Sequence, residues 1–262
     1  MRFHAFSLFL LACSALQVQA ATISVALEDF QASGVLGYRY NSTEVDYGSF
    51  GVFKLATSDP VGAPATQLGN PLFAFCDELT QSFTSSTELY NVGAPTDAND
   101  PANALVGPIS PFKETLLSEL FTKFFDKSWF LPGPFTTDQI EHAMAFHAAI
   151  EEIVHEAVFS IADKSSLNLD AGLFQVVDAY LLDKNDPSQL LPDVKAIGQG
   201  YLDALTGSDP NPRFELVQLT NPNFQDYLTV VPEASSIAML SCIGMIAGVG
   251  GYMKRRKSIT NA

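Results

Sequence analysis

Seventeen consecutive residues without a charge, Ile237 to Met253, are followed at once by Lys254, Arg255, Arg256 and Lys257. As a helix this run reaches about 25 Å at ~1.5 Å per residue, the short end of a membrane span. Four bases directly after it hold to the cytoplasmic side, which leaves everything before the run outside. The pattern therefore removes the C-terminus from any soluble core and predicts a transmembrane helix there.

The N-terminus carries a matching signature. "MRFHAFSLFLLACSALQVQA" has a base at Arg2, an apolar run from Ala5 to Leu16, and Val18-Gln19-Ala20 before a cleavage point. This is the layout of a secretory signal peptide over residues 1–20. "LLAC" at 10–13 offers a rival, a lipoprotein box on Cys13, but Leu11 suits that box poorly and the apolar run before it is short. Ordinary cleavage after Ala20 is expected.

Val231, Pro232 and Glu233 stand just before the apolar run. A Pro-Glu motif, a short span and a basic stub at the C-terminus resemble the PEP-CTERM sorting signal. The resemblance implies an exported protein of a Gram-negative bacterium, recognised by an exosortase that removes the tail and passes the body to the cell surface or exopolysaccharide matrix. Ala234 stands where the signal has its second proline. The expected division is a signal peptide (1–20), a body (21–230) and a sorting signal (231–257) with its span at 237–253.

Cysteine usage follows from that division. Cys13 falls in the signal and Cys242 in the tail, so the body keeps Cys76 and no internal disulfide. Charge is lopsided too. Of 29 acids only Glu233 lies outside residues 21–232, and of 14 bases five do, leaving 28 acids against 9 bases. Such a body is repelled by phosphate backbones, so nucleic acid is excluded as a partner. Solubility is the plain reading of the excess, ahead of cation or basic-polymer binding.

Within the body, β-branched and aromatic residues between Gly, Asn and Pro predict strands at 22–30, 34–40, 45–56 and 71–79, then a loop at 91–111. Ser110-Pro111 starts a helix through "FKETLLSELFTKFF". Thr136 and Gln139 have capping-box spacing before a second helix, in which Ile140, Ala143, His147, Ile150, Val154, Ala157 and Ile161 form a seam. A third, "LPDVKAIGQGYLDALTG", is closed by Gly207. Strands are expected within "LNLDAGLFQVVDAYLL" and at 213–220 and 225–231. The fold class is α+β, an antiparallel sheet or sandwich with a helical insertion.

"FAFCDEL", "AFHAAIEEIVHE", "LDAGLFQV" and "FQDYL" resemble, in order and spacing, a recurrent pattern of PEP-CTERM surface proteins. A Cys-bearing strand with a Gln-bearing helix is also similar to the thioester domains of bacterial adhesins. There the resemblance implies a Cys–Gln thioester able to acylate an amine. Cys76 fills the first role, but His147 holds the Gln position and Glu151 the Trp position. Imidazole has no acyl carbon, so this pair cannot form the bond.

A Cys–His nucleophile pair would need Cys76 and His147 in contact, yet no Cys-protease signature surrounds Cys76, and Asp77 and Glu78 would raise its pKa. His147, Glu151 and His155 at i, i+4 and i+8 could hold a cation, and Glu152-x-x-His155 is half a di-iron motif. No other helix supplies a second ligand set, so a solvated charged flank is expected. Asp residues in "TDANDP" and "DKNDP" lack EF-hand spacing, and Asn41-Ser42-Thr43 reads as a turn. The reading is thus a non-enzymatic, exosortase-sorted surface or matrix protein without a cofactor. Its partners are the secretion machinery, the exosortase, the membrane through the C-terminal helix, and extracellular polysaccharide as a candidate. The alternative is a thioester-type adhesin or Cys–His hydrolase using Cys76.

Overall fold

A computed structural model describes residues 20–97, 109–208 and 212–231. The signal peptide, apart from Ala20, and the sorting signal, apart from Val231, lie outside the described residues. Among the described residues no helix is long and apolar enough to cross a membrane.

The α+β class holds, with every strand pair antiparallel. Nine strands are described: β1 (Ala21–Phe30), β2 (Gly34–Tyr40), β3 (Asp46–Phe50), β4 (Phe53–Val61), β5 (Leu72–Cys76), β6 (Glu88–Gly93), β7 (Phe174–Tyr180), β8 (Glu215–Thr220) and β9 (Tyr227–Val231). Three helices, α1 (Pro111–Phe124), α2 (Thr137–His155) and α3 (Val194–Ala204), separate β6 from β8 together with β7.

The sheet-or-sandwich expectation needs refinement. Six strands close a barrel in the order β1-β4-β5-β9-β8-β6, and β3-β2-β7 form a separate sheet. Closure depends on β1, which pairs with β4 on one side and β6 on the other. The first three residues of the expected loop at 91–111 supply the end of β6, where Tyr90 and Val92 are buried beside exposed Leu89 and Asn91. Alternation with period two turns Ile23, Val25, Leu55, Ala74, Tyr90 and Tyr227 into one core. Two tyrosines and Phe53 fill that interior, so the barrel is a solid core, as in other small barrels.

The expected strand at 45–56 is two strands. Gly51 breaks it at φ 129°, a conformation closed to other residues, and β3 joins the small sheet while β4 joins the barrel. Local capping is as the spacing predicts. Ser110 Oγ accepts from Lys113 N at 3.2 Å, and Thr136 and Gln139 exchange both bonds of a capping box. Gly207 stands three residues past α3 at φ 69°. Asn41 occupies the β2–β3 turn at φ 46°.

Helix α2 lies among α1, α3 and the small sheet, and is buried on every side from Ala143 to His155. The expected seam ends with it: Ala157 is exposed, and Ile161 sits in a short 3-10 segment at the surface. Register places Phe30, Phe53 and the Cys76 end of β5 at one end of the barrel. Ala21 and Val231, paired with Val92 and Glu215, leave from the opposite rim.

Candidate functional site

At the first end, β5 and α2 meet. Leu72, Ala74 and Cys76 face the barrel core while Phe73 and Phe75 face the helices. Helix α2 carries His147, Glu151 and His155 in one column, because residues four apart lie one above the other. Cys76 Sγ lies 3.1 Å from His147 Nε2 and 3.5 Å from Glu151 Oε1, and those two helix atoms are 3.3 Å apart. Glu151 Oε2 meets His155 Nε2 at 3.0 Å, although neither atom completes an aligned hydrogen bond.

The expected solvated flank is therefore wrong. Glu151, Glu152 and His155 are as buried as His147, and Cys76 is 6% exposed. Helical periodicity marked one apolar seam, but the barrel and the small sheet enclose α2 from several sides at once. All four candidates come together, with strand β5 supplying the residue that no second helix offered.

Burial sets the charge state. Desolvation pushes the imidazoles of His147 and His155 down to about 3, with Lys113 a further cause at His155. It pushes the Glu151 carboxyl well up, helped by Asp77 and Glu78, and raises the Cys76 thiol, helped by Glu151 and Asp77. Glu152 rises to about 9 for the same first reason, while accepting from Asn168 N at 2.5 Å. With both imidazoles neutral, their contacts to Glu151 are polar contacts rather than ion pairs.

Two residues absent from the sequence reading orient the rings. Gly51 N–H donates to His147 Nδ1 at 2.9 Å, so the ring hydrogen sits on Nε2. Tyr40 Oη lies 3.2 Å from His155 Nδ1. Phe50, with its ring centroid 4.5 Å from that of His147, and Phe53 and Phe75 wall the ring in. No sequence signal points to Gly51 or Tyr40, which lie 96 and 115 residues from their partners. In this tautomer Nε2 is a donor and cannot take the thiol proton, which removes the first requirement of a Cys–His nucleophile pair.

Lys113, unnoticed in the sequence, is fully buried in α1 and donates to Val154 O at 2.6 Å near the end of α2. Desolvation lowers it to about 8 from 10.5. The folded chain holds this proton less tightly than the unfolded chain. The penalty is thus complete below pH 8, and it is relieved as pH climbs towards 10.5. Lys113→Met removes it, so the stability difference between wild type and variant should shift by on the order of 3 kcal/mol between pH 7 and pH 10.5. Urea melts at both values check this; a constant difference would mean that the amine is solvated.

No family model, curated protein or solved structure matches this chain.

Proposed function

We propose that the chain is an exported, exosortase-sorted surface or extracellular-matrix protein whose body has no enzymatic activity. The observation that carries this reading is the fit between the folded body and the two processing points. Strand β1 begins at Ala21, the residue after the expected signal cut, and β9 reaches Val231, the last described residue and the one before Pro232-Glu233. Val231 is buried in the barrel and paired with Glu215. Ala21 and Val231 lie at one rim of the barrel, at the end away from Cys76.

The second reading, a reactive adhesin or hydrolase, draws support from one observation, the 3.1 Å contact between Cys76 and His147. Burial of the pair and the hydrogen on Nε2 weigh against it. The partners in the preferred reading are the secretion machinery, the exosortase, the membrane through the C-terminal helix and, as a candidate, extracellular polysaccharide.

Intact-mass measurement of the protein from cells with and without an exosortase tests the sorting step. The product from the first should end near Pro232-Glu233, while the second should retain the basic stub. Identical masses, both with the stub, overturn it. A thiol reagent separates the two readings. Cys76 should resist alkylation until denaturant is added; rapid labelling of native protein, abolished in His147→Ala, would favour the reactive reading.

A further inference from the structure

The geometry points to a buried site for a thiophilic divalent cation of the zinc type, held by Cys76 Sγ, His147 Nε2 and Glu151 Oε1. These atoms come from two elements far apart in sequence, and all lie within 4.8 Å of one another. Tetrahedral zinc with ordinary bond lengths sets donor separations of about 3.4 Å for N–O and about 3.6 Å for S–O and S–N. The observed separations are 3.3, 3.5 and 3.1 Å in that order. Two edges fit closely, and the third widens if the sulfur and the ring move apart by a few tenths of an ångström each on binding (~0.2–0.3 Å).

A second observation comes from the far side of Glu151. Its Oε2 and the Nε2 of His155 are both buried without a completed hydrogen bond, and they face each other at 3.0 Å. With Glu151 ionised on a cation, the His155 N–H becomes the donor to Oε2, and Tyr40 Oη, 3.2 Å from Nδ1, sets the ring. That is the outer support that ligating carboxylates ordinarily have. Asp77 and Glu78 add negative potential at both acidic donors.

Charge balances. One divalent cation enters, and two protons leave, one from the Cys76 thiol and one from the Glu151 carboxyl, so the buried site is neutral before and after. One local cost is explicit. The ion takes the Nε2 lone pair and the ring hydrogen passes to Nδ1, so Gly51 N–H, 2.9 Å away, loses its acceptor and meets a second donor, and ring and amide must move apart. One lost hydrogen bond and this displacement are set against the binding energy of a thiolate-containing zinc site. General-base chemistry at Cys76 has no such compensation. Because the site is enclosed, the ion enters as the chain folds.

The full chain, produced in cells supplied with zinc or with cobalt in its place, tests the site. About one zinc per chain is expected. The cobalt form should show a thiolate-to-cobalt absorption in the near ultraviolet, lost in Cys76→Ser and weakened in Glu151→Gln. Metal content near zero together with a fully titratable thiol after denaturation overturns the site. So does bound cobalt without the thiolate band, or a band that survives Cys76→Ser. If Cys76→Ser fails to fold, the band in a full chain carrying Cys13→Ser and Cys242→Ser decides alone, since Cys76 is then its sole cysteine.

Discussion

Gly51→Ala should destabilise the fold by about 3–5 kcal/mol, one of the two largest single-site losses argued for this protein. Two causes add. At φ 129° the backbone of residue 51 is closed to a side chain, and an added Cβ would overlap Ala32 O and come within 2.6 Å of Ser33 Cα. Neither obstacle is the end of a flexible chain, so backbone must move. That movement is costly here because Gly51 joins the small sheet to the barrel and its N–H orients His147. The measurement is the urea midpoint, read with an unchanged m-value. A loss below about 1 kcal/mol would mean that the β3–β4 junction adjusts freely, and the orientation of His147 would then rest on its aromatic walls.

Phe75→Ala should cost a similar amount, about 3–5 kcal/mol, by emptying the point where strand and helices meet. Phe75 is fully buried, with ring centroids 5.0 Å from Phe146, 5.8 Å from His147, 6.0 Å from Phe121 and 6.4 Å from Trp129. Partners on α1, on α2 and on the 3-10 turn Lys127–Phe130 between them cannot all collapse into the space, so most of the cavity persists. The variant should also label at Cys76 faster under native conditions, because the next residue of β5 loses its outer wall. Leu182→Ala, at a side chain 75% exposed, provides the contrast and should change stability by less than about 0.5 kcal/mol. Equal losses at both positions would show that the aromatic cluster is not where the fold is held.

Local features were readable because their causes are local. Ser110, Thr136 and Gln139 satisfy amide groups within three residues, so helix starts follow from spacing alone. Strand β2 occupies residues 34–40 as its punctuation predicts. Where two outcomes share one local pattern, the sequence misleads. "VDYGSFGVF" reads by its β-branched and aromatic content as part of one strand, while the chain breaks at Gly51 to serve two sheets. Glu151, Glu152 and His155 read as a flank on any helical wheel, yet the wheel counts one partner face and α2 has several.

From its order of residues alone this chain determines which segments become strands and helices and where α1 and α2 begin, because capping and alternation act over a few residues. The convergence of Cys76 and His147, 71 residues apart, belongs to the tertiary structure. So do the closure of the barrel by β1 and β6, the raised carboxyls of Glu151 and Glu152, and the neutral imidazoles of His147 and His155. Desolvation and long-range pairing depend on what surrounds a group, and no short window of sequence contains its surroundings.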